Sequence, residues 1–327
     1  MIAHPRRPGW APSAVQEHLL AAALDTPEAA AAAWAALPPG FDLERMERGS
    51  FELMPLVARN LAAVGSTDGR LPKLAGIHRR SWVKNNLLLD RLLAAAAAFD
   101  SRGIGFVVVE GPPQAERYYG DLGLRPTSTI HLLVESTEMP AALSELSSLG
   151  WREQPLNGYP GWRVLTDDGQ HLCIVKDRLA FDFVGTAHHA KVPWTALDHL
   201  VVRGIPLPVP SPTHALLAAI VGGARTAPTT PTQWIADAVL ISRTSQVDFD
   251  RLTNDARIHR QTLRVRTAAR YLCHFDERFA ALGAGDAAAT IHERLVYALT
   301  ARSWPRGGAT ADALAFRLAE RRRQAAT

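Results

Sequence analysis

The stretch "GLRPTSTIHLLVES", Gly123 to Ser136, is an apolar strand pattern that holds two polar groups two residues apart, Thr129 and His131. Side chains alternate across a strand, so both fall on one face while Ile130 and Leu132 take the other. An imidazole oriented by a carboxylate moves protons near neutral pH, and a hydroxyl beside it offers a hydrogen bond to a substrate. That pair is the first place to look for chemistry.

The other candidates are weaker. His188 and His189 in "TAHHAK" are adjacent, which on a strand sends them to opposite faces, so they read as loop histidines, on a loop that follows the Asp182 strand and is placed to overhang the cleft. Trp234 and Asp237 lie three apart and share a helix face, Trp234 for packing against the central unit and Asp237 for capping or pairing. Tyr118 and Tyr119 read as core and surface respectively. Cys173 alternates within a strand, has no activating neighbour in sequence, and reads as a buried inert thiol. Neither a Gly-x-Ser-x-Gly elbow, a phosphate-binding P-loop nor a dinucleotide fingerprint occurs.

These residues need a scaffold, and the composition supports one. The chain has 327 residues, 47% hydrophobic and 21% charged, which suits a soluble globular protein of two or three units. Cys173 and Cys273 form neither a disulfide framework nor a zinc spacing, so a reducing cytoplasm is the expected location. No apolar run reaches the ~20 residues of a membrane span, and the arginine pair near the start is not followed by a signal-peptide core. The net charge of +4 concentrates in arginine-rich segments such as "RIHRQTLRVRTAAR", which read as solvated helix faces. Aromatic interleaving for base stacking is absent, so nucleic acid is not an expected partner.

Three regions follow from periodicity. Residues 1–100 are helical, with apolar spacings of three and four, a break at Pro38-Pro39-Gly40 and a helix end at Gly103. Residues 101–210 change texture: strands "IGFVVVEG" and "STIHLLVES" flank a short helix over "PPQAERYYGDLG". The helix "EMPAALSELSSLGW" follows, then three strands within "GWRVLTDDGQHLCIVKDRLAFDFVG", separated at Asp168-Gly169 and Lys176-Asp177. "VVRGIPLPVPSP" adds a proline-rich edge pair. Residues 211–327 are helical again, starting from Ser211-Pro212 and ending in an arginine-rich helix. The fold class is α/β (α+β), a small mixed-sheet core flanked by N- and C-terminal helical regions.

Glu110-Gly111, "YYGDLGLRPTSTIHLLV", "FDFVG" around Asp182 and "QWIADAVLI" together resemble the uncharacterised nucleotidyltransferase family of the polymerase-β-type superfamily, over residues 50 to 275. Members typically carry Lys-Gly before a short helix, an "LRP-x-S-D-I-D-L-L-V" strand and a third carboxylate on a later strand. The resemblance implies a nucleotidyltransferase-like core in which three carboxylates hold two divalent metals on a nucleoside triphosphate. This chain departs from that pattern at each part. Thr129 and His131 stand at the two aspartate positions, leaving Asp182 of the three. Glu110 stands at the lysine, and Pro112 and Pro113 remove two backbone donors from the phosphate cradle.

The expectation is therefore a repurposed cleft, with metal-independent acid/base chemistry on a small-molecule or peptide substrate in a setting such as specialised biosynthesis. His131 would be the acid/base group, Glu110 or Asp182 its orienting carboxylate, and Thr129, Arg125 and Gly111 the substrate-binding set. Arg125 would pair with a substrate carboxylate or with Asp182. No cofactor or metal is expected. Two alternatives stand beside this: a catalytically silent binding or partner protein with a structural His131 and a Glu110–Arg125 salt bridge, and an active nucleotidyltransferase using Mg or Mn with a nucleotide at an atypical site.

Overall fold

Helix formation begins at Ser13, whose hydroxyl accepts from Gln16 N while the Gln16 side chain accepts from Ser13 N, a reciprocal cap that starts α1 (Ala14–Leu24). This computed structural model describes residues 8–155, 162–167, 171–177, 197–225, 232–283 and 289–301. The expected Asp168-Gly169 turn, the Asp182 strand, His188, His189 and the arginine-rich end lie outside the described residues.

Helices α2 (Pro27–Ala35) and α3 (Met54–Ala63) pack with α1. The 32-residue α4 (Leu71–Arg102) then runs to Gly103, whose φ of 67° closes the helix as its sequence position predicts. Strand β1 (Phe106–Glu110) follows at once. Gly111 (φ +142°) turns the chain into a single helical turn at Pro112–Gln114, continued by a π turn over Ala115–Tyr119. The expected short helix is thus a compressed one. It buries Tyr119 as well as Tyr118, which corrects the surface placement of Tyr119. The Tyr119 hydroxyl has partners inside the protein, so no solvent is needed to satisfy it.

Strand β2 (Thr129–Val134), helix α5 (Met139–Ser148), β3 (Arg152–Gln154), β4 (Trp162–Asp167) and β5 (His171–Lys176) complete the α/β unit. The sheet order is β1-β2-β5-β4-β3, with β2 antiparallel to β1 and parallel to β5. A separate hairpin, β6 (Leu197–Val202) and β7 (Ile205–Pro210), carries the proline-rich edge pair. It is tied to the π turn by Arg117, which binds Asp198 and the Pro210 carbonyl.

The sheet separates two apolar layers. Val108, Ile130, Leu132, Val134, Cys173 and Val175 pack under the C-terminal half of α4 and under α5. On the other side, Val107, Val109, Leu133, Tyr118 and Tyr119 join a core shared by the N-terminal helices and by α6 (Pro212–Gly223), α7 (Gln233–Thr244), α8 (Phe249–Ile258) and α9 (Thr262–Leu272). The two helical regions thus meet in one core, beside the sheet face that carries Thr129 and His131. Among the described residues, no helix is long and apolar enough to cross a membrane.

Candidate active site

Placement of the β2 polar face starts one helix away. Asn85, fully buried on α4, donates from Nδ2 to the carbonyls of Leu122 and Arg125 at 2.5 and 2.8 Å, and its Oδ1 accepts from Thr127 N. These bonds satisfy the backbone of an irregular segment that would otherwise be costly to bury. Gly123 belongs to the same segment because a Cβ there would collide with the His78 ring. The approach to β2 is tight for that reason.

Arg125 leaves this segment sideways. Its Nε and Nη2 donate to the two carboxylate oxygens of Asp237 at 2.7 and 2.9 Å, with both side chains about one-tenth exposed. Tyr119 Oη donates to the same carboxylate at 2.6 Å, and Gln233 Nε2 donates to Tyr119 Oη at 2.6 Å. Burial and the Asp237 charge raise the Tyr119 phenol well above its usual range, so it stays a neutral donor. Asp237 pairs as its sequence position suggested. Asp237 engages the Nε and Nη2 of Arg125, which also lines the main cleft, while the expected pairing with Asp182 falls on a residue outside the described ones. Arg125 does not bridge Glu110. Trp234 packs edge-on against Trp10 at 5.4 Å and fills the space left by Gly223, inside the helical core rather than against the α/β unit alone.

Between the sheet face and helices α6 and α7 lies a cleft of ≈390 Å³, lined by Glu110, Thr129, His131, Trp162, Lys176 and Arg225 among others. A second cavity of ≈220 Å³ shares its Pro126–Ser128 wall and is lined by Arg80, Ser81 and Lys84. Gly111 does not line the main cleft. Its backbone passes near Thr129 O, where a Cβ would lie 3.5 Å away, and its positive φ is a conformation L side chains rarely adopt.

The centre of the cleft is a three-residue cluster. Glu110 sits opposite His131 across the β1–β2 pair, and its Oε2 lies 3.4 Å from His131 Nδ1. Lys176 Nζ lies 2.8 Å from the same Nδ1 and 4.3 Å from the centre of the Trp162 ring. The parallel register places His131 beside Ile174 and Leu133 beside Lys176, so strand alternation puts Leu172, Ile174 and Lys176 on the face of Thr129 and His131. From its sequence Lys176 is expected at the break between two strands with no role in the site, whereas it is the last residue of β5 and faces the cleft. The signal was present in "HLCIVK", where Cys173 and Val175 point into the core and force Lys176 to the opposite face.

Burial, with the Lys176 charge, pushes His131 down to about 4, against the pull of Glu110. Lys176 falls to about 8, chiefly through burial and then Arg225, with Glu110 resisting. Burial works to raise Glu110, but the field of a protonated His131, Lys176, Arg125 and Arg225 wins and holds it at about 2. At neutral pH the cluster is a carboxylate, a neutral imidazole and an ammonium. Since the ammonium donates to Nδ1, that nitrogen has no proton for Glu110, and the imidazole proton sits on Nε2.

Several buried polar atoms along the same wall have no hydrogen-bond partner in the protein: Gln114 Oε1, Gln233 Oε1 and Trp234 Nε1. Each glutamine amide is fixed by its other end, since Gln114 Nε2 donates to the Val109 carbonyl and Gln233 Nε2 to Tyr119 Oη. The free ends are therefore acceptors. Among the described residues, no carboxylate forms an ion pair within 4 Å with Arg225, whose charge nevertheless acts on Glu110.

A mixed sheet of this order, with a polar cleft over β2 and a helical cover, makes this a nucleotidyltransferase-like α/β protein. The chain belongs to the uncharacterised nucleotidyltransferase family, whose sequence pattern matches residues 51–279. No curated protein matches it. Among solved structures it is similar to the antibiotic-resistance factor ANT(2'')-Ia in solution, with 16% identity and a TM-score of 0.40 over 58% of this chain and 98% of that one. It is likewise similar to ANT(2'')-Ia in complex with adenylyl-2''-tobramycin, with 15% identity and a TM-score of 0.38 over 55% of this chain and 96% of that one.

Proposed function

We propose that this nucleotidyltransferase-family protein is a metal-independent acid/base enzyme acting on a small-molecule or peptide substrate held in the main cleft. The observation that carries the reading is the Lys176 ammonium 2.8 Å from His131 Nδ1, on the sheet face that also carries Thr129. The donor set does not suit a magnesium ion. Thr129 offers a neutral hydroxyl, the Nδ1 lone pair of His131 is taken, and a divalent cation would meet an ammonium at close range. Among the described residues, no three histidine, cysteine or carboxylate side chains gather into a metal-binding group.

The proton chemistry belongs to the cluster. Lys176 titrates nearest neutral pH and exchanges the proton with the substrate. His131, expected from sequence to be the acid/base group itself, becomes the acceptor that aims the Lys176 amine. Glu110 supplies the negative charge that keeps the ammonium tolerable in a half-dry site. Thr129 faces the same space as a substrate hydrogen-bond partner, and Arg125 acts as a positioning residue through Asp237.

Calorimetric titration with each nucleoside triphosphate, with Mg²⁺, with Mn²⁺ and with chelator, tests the reading. The expected result is no binding that depends on metal. Metal-dependent binding in the micromolar range would overturn it in favour of a nucleotidyltransferase with an atypical metal site.

A further inference from the structure

We propose that Lys176 condenses with the carbonyl carbon of a hydroxylated aldehyde or ketone that carries an anionic group, forming an imine in the main cleft. The inference rests on the metal-free reading of that cleft and adds a covalent step and a substrate class to it.

The geometry supplies what such a lysine needs. Its amine lies in a cleft, against the face of Trp162 and within hydrogen-bond distance of His131 Nδ1. Arg225 lines the same space, and a desolvated lysine beside another cation holds its amine partly unprotonated at neutral pH, the usual route to imine chemistry. An N–H held by Nδ1 leaves the lone pair of the neutral amine free to face the cleft. The balance needs no further reagent. The ammonium first gives one proton to solvent, and the lone pair of the neutral amine then bonds to the carbonyl carbon; one of the two amine protons and the proton returned from solvent leave with the carbonyl oxygen as water, and the other amine proton stays on the protonated imine. That N–H keeps the hydrogen bond to Nδ1, and Glu110 faces its positive charge.

The remaining wall defines the substrate. Arg225 makes no ion pair within 4 Å among the described residues, though its charge acts on Glu110, and its guanidinium suits an anionic end of the ligand. The side chains of Thr129, Gln114 and Gln233, all on residues that line the cleft, suit hydroxyl groups on the ligand. A carbonyl, hydroxyls and an anion together describe a short sugar phosphate or sugar acid.

The chain has only four lysines, Lys73, Lys84, Lys176 and Lys191, which makes the test clean. The intact protein is incubated at pH 7 with glyceraldehyde 3-phosphate and cyanoborohydride, and in parallel with uncharged glyceraldehyde. Peptide mapping then gives the labelling rate at each lysine and at the α-amino group. The inference predicts labelling at Lys176 at least ~10-fold faster than at any other lysine, with the phosphorylated aldehyde preferred and that preference lost in Arg225→Ala. Even labelling of the four lysines, or a Lys176 left unlabelled, would overturn it. Neither result alters metal-dependent nucleotide binding, so failure here and failure of the metal-free reading are separate outcomes.

Discussion

At the scale of single residues, the pairing that organises the site is Arg125 with Asp237. Both groups are charged and buried, and each satisfies the other through two parallel hydrogen bonds. Removing one partner leaves an uncompensated buried charge, so Asp237→Ala is expected to destabilise the protein by about 3–5 kcal/mol. Urea denaturation measures it. A loss below about 1 kcal/mol would mean the pair does not hold the segment before β2. The double variant Arg125→Met, Asp237→Leu should recover most of the loss, because it removes both charges together. The sequence suggested that Asp237 pairs but not with what, since the partners are 112 residues apart. Thr129 and His131 were legible, because strand alternation fixes their face locally. Lys176 was half legible: its parity was readable, but its neighbour on the sheet was not.

At the scale of elements, the hydrophobic periods located β1, β2, α5 and the long α4 close to their observed bounds. What they could not supply was the order β1-β2-β5-β4-β3. The parallel β2–β5 pair joins segments some forty residues apart, and it alone brings Lys176 beside His131. Asn85 illustrates a second kind of gap. In "KNNLLLD" it has the composition of a solvated helix face, yet it is fully buried and holds the Leu122 and Arg125 carbonyls. A buried asparagine that serves irregular backbone leaves no periodic trace. The π turn over Ala115–Tyr119 misled in a related way. A regular helix separates adjacent residues by about 100°, whereas here both tyrosines turn inward.

At the scale of the whole molecule, the cleft has a place in the pH dependence of stability. His131 is held below its ordinary value, so between about 6.5 and about 4 the unfolded chain binds a proton that the folded one does not. Stability from this residue is present above that window and lost as pH falls through it. Lys176 has the same sign at higher pH, and stability rises between about 8 and about 10.5 as the buried ammonium is released. One proton contributes a slope of at most about 1.4 kcal/mol per pH unit. Comparing wild type with His131→Gln isolates it from the other histidines: the variant should fall less steeply below pH 6.5. Equal slopes would contradict the depressed imidazole. The core shared by the N- and C-terminal helices makes this a property of the fold, because α6 and α7 close the wall opposite the sheet.

The measurement that tests the account most directly is the pH titration of Lys176 by NMR on protein with isotope-labelled lysine. With four lysines in the chain, Lys176→Met assigns the signal by its disappearance. The account predicts a midpoint near 8 for Lys176. It predicts a lower midpoint in Glu110→Gln, because the carboxylate that favours the ammonium is gone. A midpoint at the ordinary lysine value of about 10.4, unmoved by Glu110→Gln, would contradict the cluster and the proton chemistry assigned to it.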